Sequence, residues 1–307
     1  MQISTNQMFD KAIAQMGKTK DRLGQVQLQL STTKSVIKPS DSPDKTTTIT
    51  RLQSAITRQD SYVSTIKSTM NKLSLQETAL KSSSNILVRM KELAIQSAND
   101  TMSPQNRKEI AIEVAGLRDQ IRSLANTQDE NGTYIFSGSR VGTPAYGTNV
   151  DGQRPYQGDQ SIGYVPVGAQ REIDTNRSGT QAFSRIIRSD LQGNKESVGF
   201  FEVMDDFVSA LLNNKPAEIQ RSVGELDIAQ YGMTESIANV GSGINVLQSQ
   251  QSVAEENILR IKTTLSDVKD VDYTQAITQM NKDLLALEAA QSSFSKISQL
   301  NLFDYIR

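Results

Sequence analysis

Residues 226–268 read LDIAQYGMTESIANVGSGINVLQSQQSVAEENILRIKTTLSDV, and this stretch decides the fold. Thirteen of its positions recur at alternating steps of three and four, and all of them except Gln230 and Gln251 are apolar. A stripe with that period is typical of a helix that packs against another helix. No proline occurs from residue 217 onward, so a helix over 217–268 would be about 78 Å long. Because such a rod does not fit inside a globular domain, we expect an elongated, mainly α protein.

Composition excludes several classes of function. Apolar residues are 36% of the 307 residues and aromatic residues 5%, which is low for a globular core but normal for helices that bury one stripe. The net charge of −1 predicts neither a nucleic-acid surface nor a basic membrane face. The absence of cysteine and histidine removes thiol chemistry, the usual general base and the commonest transition-metal ligand. We therefore predict a protein that is not an enzyme and binds no cofactor or metal.

The N-terminal region predicts three helices. The first spans residues 5–31, where apolar side chains recur every seven residues, and a proline-containing loop over 38–44 follows it. The second spans 45–99 without proline, and its seven-residue register makes it the natural partner of the stretch quoted above. The third starts after Ser103, a good N-cap residue, with Pro104 in the favoured first turn.

The character of the sequence changes at Asn131-Gly132, a turn signal that is followed by the strand-like residues 133–136. Eleven of the 18 glycines lie in residues 132–199, where short apolar runs alternate with turns. We predict a small antiparallel β insert in this region. The triplets that begin at Asn131 and Asn176 fit glycosylation acceptors, but turn residues are the simpler interpretation of both.

The C-terminal region mirrors the N-terminal one. Helix returns near residue 200, the long rod restarts after Pro216, and its heptad phase is lost over 269–273 before a last helix begins. We therefore expect the first helix to pack on the last, and the second helix to pack on the rod. Three parts are predicted: a terminal coiled-coil assembly domain (1–45 and 266–307), a helical rod domain (46–138 and 200–265) and a small β-rich insert domain (139–199).

Two sets of apolar residues follow from this arrangement. The terminal helices have little within one chain to cover their seams, so these seams are predicted to form an assembly interface. That interface comprises Phe9, Ile13, Met16, Leu23, Leu30, Ile277, Met280, Leu284, Leu287, Phe294, Ile297 and Phe303. The rod core is predicted to comprise Leu52, Ile66, Leu73, Leu80, Leu87, Ile237, Ile244, Leu247, Ile258 and Leu265.

Carboxylates are the remaining candidates for chemistry. Asp267, Asp270 and Asp272 are close enough in sequence to suggest a calcium cluster, but the glycine and glutamate spacing of an EF-hand is absent. A solvated break between two helices is the simpler interpretation. The insert carries four carboxylates that a hydrolase would need, namely Asp151, Asp159, Glu172 and Asp174. Acidic residues in glycine-rich loops more often form turns, so the hydrolase is a minor alternative.

Several motifs resemble those of the bacterial flagellins. Residues 92–101, which read ELAIQSANDT, resemble the ELAxQSANxT stretch of that family. Asn-Thr-Gln at 126–128, followed by Asn-Gly at 131–132, agrees with the same pattern. Residues 270–273, which read DVDY, resemble the DADY region near the flagellin C-terminus. The matches cover both terminal regions and exclude only the insert.

Three further features resemble the hook–filament junction branch of the flagellin-like family. They are YIFSG at 134–138, YQGD at 156–159 and LFDYI at 302–306. The loop over 38–44 departs from the SAKDDPAG-like loop that flagellins carry at this place.

That resemblance implies a structural adaptor of the bacterial flagellum that joins the hook side to the filament. It implies an extracellular protein that leaves the cell unfolded through the flagellar type III apparatus, and residues 1–20 indeed lack the apolar core of a cleaved signal. The implied partners are copies of itself in a ring, the preceding hook-associated protein, flagellin and an export chaperone, without nucleic acid or membrane. Two alternatives stay open: a short, self-polymerising flagellin, and a secreted coiled-coil adhesion or binding protein.

Overall fold

The computed structural model describes residues 2–147, 155–168, 170–189 and 195–304. Its mainly α fold with small antiparallel sheets confirms the predicted class. The helices are α1 (Gln2–Thr32), α2 (Pro43–Ser97), α3 (Pro104–Ala125), α4 (Gly179–Ala182), α5 (Phe200–Leu212), α6 (Pro216–Lys269) and α7 (Tyr273–Asp304). The strands are β1 (Tyr164–Gly168), β2 (Arg171–Asp174), β3 (Ile186–Ser189) and β4 (Lys195–Val198).

Helix ends follow the local sequence signals. Ser103 caps α3, since its hydroxyl oxygen accepts a hydrogen bond from the Asn106 N–H at 3.2 Å, and Pro104 occupies the first turn. Helix α2 begins at Pro43, two residues before its predicted start, because proline suits a first turn. Helix α6 runs for 54 residues without interruption, as the absence of proline predicts.

The prediction of a strand over residues 133–136 is wrong. Tyr134 forms one isolated bridge with Gln128, and the residues that follow make turns. The carbonyl of Phe136 instead accepts hydrogen bonds from the Gly179 N–H at 2.7 Å and from the Tyr156 hydroxyl at 2.9 Å. Because these partners come from separate segments, the backbone is satisfied without a strand partner.

The insert contains two separate antiparallel strand pairs, β1 with β2 and β3 with β4. A two-stranded sheet alone is marginal in water and needs packing against another element. Val167 of β1, Ile186 of β3 and Val198 of β4 are buried in the same apolar cluster as residues of α2 and α6. The insert therefore shares a core with the helices that precede and follow it.

The chain divides into two compact units. The first comprises Met1–Gln59 and Glu256–Arg307, and the second comprises Asp60–Glu255. Helices α2 and α6 each contribute residues to both units. The three-part division into assembly, rod and insert domains stays a prediction about how these segments behave.

Candidate assembly surfaces

The terminal helices α1 and α7 pack against each other in the first unit. The rings of Phe9 and Phe294 meet edge to face with centroids 5.4 Å apart. Further along, Arg22 of α1 lies 3.6 Å from the carboxylate of Asp283 in α7. Residue numbers rise on α1 as they fall on α7, so the two helices are antiparallel.

The contact between these helices follows the 3-4 spacing of a coiled coil. We call the covered positions the terminal seam. They are Phe9, Ala12, Met16, Thr19, Leu23, Val26 and Leu30 on α1, and Ala276, Met280, Asp283, Leu287, Ala290 and Phe294 on α7. The four α1 residues that recur every seven positions, Phe9, Met16, Leu23 and Leu30, therefore all lie in the seam.

The predicted interface residues fall into three groups. Those in or beside the terminal seam are buried or half-buried, namely Phe9, Met16, Leu23, Leu30, Met280, Leu284, Leu287 and Phe294. Ile13 and Ile277 lie on outer faces and are 55% and 45% exposed. The side chains of Ile297 and Phe303 lie outside the described residues. The structure thus brings most of the set together, and its role in assembly stays a prediction.

Sequence reasoning missed Thr19 and Asp283, which are polar and yet belong to the seam. Asp283 Oδ2 accepts a hydrogen bond from Gln279 Nε2 at 3.0 Å, and Arg22 Nη2 donates to Thr19 Oγ1 at 3.2 Å. The signal was present, since both residues fall on the 3-4 spacing that connects their apolar neighbours.

The loop after α1 is fastened to the break between α6 and α7. The Ser35 N–H donates to the carbonyl of Lys269 at 2.7 Å, and the Ser35 hydroxyl donates to the carbonyl of Val268 at 2.9 Å. In return, the Val271 N–H donates to the carbonyl of Thr33 at 3.0 Å. These bonds satisfy the last carbonyls of α6, which have no partner inside the helix.

Two of the three acidic residues at that break, Asp270 and Asp272, have local partners. Asp272 Oδ1 accepts a hydrogen bond from the Gln275 N–H at 3.1 Å and so caps α7. Asp270 accepts one from the Ser266 hydroxyl at 2.5 Å. Within residues 2–147, 155–168, 170–189 and 195–304, no three acidic side chains come together in a way that could hold a metal.

The predicted rod core is mostly buried. Ile66, Leu73, Leu80, Leu87, Leu247 and Ile258 are buried, whereas Leu52, Ile237, Ile244 and Leu265 are half-buried. Between α2 and α6 in the second unit, Gln230 Nε2 donates to Ser84 Oγ at 2.7 Å, and Lys91 pairs with Asp227. The predicted partnership of the second helix with the rod therefore holds within this unit.

An aromatic cluster and a buried glutamine hold the insert. Tyr146 packs on Phe201 with centroids 4.6 Å apart, and Phe136 packs on Phe183 at 5.4 Å. Burial raises the pKa of the Tyr146 hydroxyl, which donates to a backbone carbonyl. From α2, Gln76 Nε2 donates to the carbonyl of Ile135 at 2.7 Å. These contacts fix the insert residues relative to α2 and α5.

A charged network ties β3 to α5 and α6. Arg188 Nε and Nη2 donate to Glu225 at 2.6 and 3.1 Å, and Nη2 also donates to Asp206 at 2.6 Å. Arg221 reaches the same Glu225 carboxylate at 3.3 Å. The hydrogen bonds that Arg188 donates to Glu225 first, and to Asp206 second, raise the pKa of Arg188. The network is structural, because each charged group already faces a partner.

The three candidate insert carboxylates that the structure describes, Asp159, Glu172 and Asp174, do not form a constellation for hydrolysis. Asp159 accepts hydrogen bonds from Ser139 and from the Ser161 N–H, and these bonds lower its pKa to about 2. A carboxylate held ionised in this way is a poor general acid. Glu172 and Asp174 are exposed on β2, and Asp151 lies outside the described residues.

The possible glycosylation acceptors are both turn or loop residues. Asn176 is buried, and its Oδ1 accepts a hydrogen bond from the Gly163 N–H at 2.8 Å. Asn131 stands in a turn that Asp129 organises, before Gly132 with its φ of +73°. Separately, the described helices include none that is long and apolar enough to cross a membrane.

The fold and its seams define a class, that of helical proteins whose two terminal helices pair with each other and whose β insert lies in the middle of the sequence. The family description "bacterial flagellin N-terminal helical region" matches residues 3–141, and "bacterial flagellin C-terminal helical region" matches residues 223–306. Together the two matches cover most of the chain. The chain belongs to the flagellin family of bacterial flagellar proteins.

The individual relatives that the chain resembles are also named as flagellar proteins. The chain is 26% identical to flagellar hook-associated protein 3 of Escherichia coli (strain K12), over 99% of each chain. It is 22% identical to the flagellin of Listeria monocytogenes serovar 1/2a, over 98% of this chain and 96% of that one. A putative flagellar hook-associated protein from Vibrio parahaemolyticus has the same fold, with a TM-score of 0.66, 24% identity, and coverage of 75% of this chain and 100% of that one.

Proposed function

We propose that this chain is a structural component of the bacterial flagellum that links the hook side to the filament. One observation carries the proposal, namely the likeness over 99% of both chains to a hook-associated protein 3. An adaptor and a flagellin share paired terminal helices, so the pairing itself supports both. The insert and the chain end favour the adaptor, because they carry the junction-type motifs.

The first unit supplies surface for assembly with copies of the same chain. Two helices cover only one stripe of each other, so their other apolar side chains stay in water. Ile13 and Leu28 on α1, and Ile277 and Leu285 on α7, are at least 45% exposed. Burying them between copies would contribute about 25 cal/mol for each Å² of apolar surface removed from water. A ring of copies is the arrangement that we assign to these faces.

The other partners follow from the proposed position. The preceding hook-associated protein contacts one side of the ring, and flagellin contacts the other side. An export chaperone holds the chain before its export through the type III apparatus. The mature protein acts outside the cell on the flagellum, without catalysis, nucleic acid or membrane. The carboxylates of Asp159 and Asp272 already accept hydrogen bonds from backbone N–H groups, and this supports the proposal that the chain is not a catalyst.

A strain that lacks the gene tests the proposal. We expect electron micrographs to show hooks without filaments, and flagellin to accumulate unpolymerised in the medium. Restoring the parent gene should restore filaments. Filaments of normal length in the deletion strain would contradict the adaptor role.

A second experiment separates the adaptor from the short flagellin. Purified chain is added to hook–basal bodies that carry the preceding hook-associated protein. An adaptor has two unlike axial faces and should stop after a short cap, whereas a flagellin repeats one contact without closure. Long filaments of this chain alone would favour the flagellin alternative.

A further inference from the structure

The terminal seam contains one buried polar layer. Thr19 and Asp283 are 5% and 4% exposed, and the other seam positions are all apolar. The contact of Phe9 with Phe294 and that of Arg22 with Asp283 set the register of the two helices. In this register Thr19 is level with Asp283, so the two polar residues share a layer.

Arg22 joins the two sides of this layer. Its Nη2 atom lies 3.2 Å from Thr19 Oγ1 and 3.6 Å from Asp283 Oδ1. The other carboxylate oxygen, Oδ2, accepts from Gln279 Nε2 at 3.0 Å, and Thr19 Oγ1 donates to the carbonyl of Gln15 at 3.0 Å. Both oxygens of the buried carboxylate therefore face a donor in this register.

A shift of one heptad would remove that arrangement. Asp283 would then lie opposite Ala12 or Val26, and Arg22 would lie a full heptad away, about 10 Å along the axis. Asp283 would keep the hydrogen bond from Gln279 of its own helix but would lose its cation, and a buried carboxylate without a cation is strongly disfavoured. The apolar layers discriminate far less, because after the shift they would still bring apolar side chains together.

We propose that the layer of Thr19, Arg22 and Asp283 discriminates against shifted registers of the α1–α7 pair. A polar residue at a core position of a coiled coil can specify register while it lowers stability, and replacing a buried ion pair by apolar residues is often neutral or stabilising. The layer is a specificity element rather than a source of stability. This property belongs to the helix pair and does not depend on the position of the chain in the flagellum.

Cross-linking of introduced cysteines measures the register directly, because the parent chain has no cysteine. Met16→Cys with Leu287→Cys reports the observed register. Met16→Cys with Met280→Cys reports a shift by one heptad, or about 10 Å. A thiol cross-linker shorter than this displacement is applied to the full-length protein, and both products are quantified by mass spectrometry.

The test variant is Thr19→Leu with Asp283→Leu, and its matched control is Asp21→Leu with Glu288→Leu at exposed positions of the same helices. Parent and control should give only the in-register product. The test variant should also give the off-register product, in lower yield than the in-register one because the bonds of Thr33 and Ser35 to residues 268–271 still favour the observed register. Its helical melting midpoint should be at or above that of the parent. A single in-register product from the test variant would overturn the proposal, as would an off-register product from the parent.

Two further variants keep the result interpretable. Asp283→Asn retains an acceptor for Arg22 and should keep the single register; as much off-register product as with leucine would contradict the proposal. Arg22→Leu leaves the carboxylate without its cation and should lower the melting midpoint, whereas the double leucine variant should not. Equal loss of stability in both would show that the layer stabilises the pair rather than selecting its register.

Discussion

The two compact units bury their apolar residues to different degrees. In the first unit, the least exposed apolar side chain that the structure describes is Ala276 at 7%, and its most buried seam layer is polar. In the second unit, Leu80, Phe207 and Leu247 are 0% exposed. A helix pair covers each side chain from one side, whereas the second unit surrounds its core with helices and the insert.

The difference separates what stabilises the chain from what remains for partners. Hydrophobic stabilisation scales with the apolar area removed from water, so the second unit gains more from each core residue. The first unit keeps apolar side chains such as Ile13 and Leu285 in water, where another molecule can cover them. Substitutions should therefore affect monomer stability in the second unit and assembly in the first.

The largest effect on stability is expected from Leu247→Asp in α6. Leu247 is fully buried in the second unit, and a carboxylate there would have no partner. We expect the free energy of unfolding to fall by about 3–5 kcal/mol. Urea denaturation measures the change, with Gln248→Asp, an exposed neighbour, as control. Similar losses for both variants would show that the core assignment is wrong.

A smaller effect is expected from Glu225→Gln. The substitution removes the charge that faces Arg188 and Arg221, while Arg188 keeps Asp206. We expect a loss of about 2 kcal/mol, which is typical for hydrogen bonds to charged groups. Denaturation is compared with that of Glu235→Gln, an exposed change in the same helix. A loss below that of the control variant would contradict a structural role for the network.

The stability of helix α1 in the first unit should increase when residues of higher helix propensity replace its glycines. No heavy atom lies within 4 Å of a Cβ placed on Gly17 or Gly24 in α1, so alanine fits at both positions. Each glycine-to-alanine change should stabilise α1 by up to about 1 kcal/mol. Protection of α1 amides from hydrogen exchange measures the gain. Gly132→Ala, at a φ of +73°, is the opposite control and should destabilise its turn. Unchanged α1 protection would argue against helix propensity as a limit on this unit.

The smallest effect is a pH dependence at Asp159. Its pKa is lowered to about 2 in the folded chain, below the value of about 3.9 usual for an unfolded chain. A depressed folded pKa gives stability that is present above the unfolded pKa and is lost as pH falls through the folded pKa. Stability should therefore decline from about pH 4 to about pH 2. Asp159→Asn should weaken this decline and Asp174→Asn should not. The same dependence of stability on pH in both variants would contradict the assignment of the decline to Asp159.

The sequence was most informative where one residue type repeats along a helix. The rod positions Leu73, Leu80 and Leu87 were predicted because leucines seven residues apart can share one face whatever they pack against. The absence of a strand over residues 133–136 was not predictable in the same way. The hydrophobic pattern of these residues is strand-like. The Tyr156 hydroxyl and the Gly179 N–H nevertheless donate hydrogen bonds to the carbonyl of Phe136, and that pairing depends on the tertiary fold.

The terminal seam shows a second limit. Ile277 and Leu284 are the stronger apolar signals, yet the contact with α1 runs through Ala276 and Asp283 one position earlier. An aspartate between apolar residues reads as a surface position until its partner is known. That partner is Arg22, which is 261 positions earlier in the chain, so sequence spacing carries no trace of the pair.

One measurement tests the central claim, which is that the first unit serves assembly and the second serves stability. Leu284→Asp changes a half-buried residue beside the terminal seam. The tyrosine near-ultraviolet circular dichroism follows the second unit, where Tyr146 and Tyr156 pack at 5.4 Å. We predict that this signal melts at the parent midpoint while cells that carry the variant lose motility. A midpoint lowered as far as in Leu247→Asp, or unchanged motility, would contradict the account.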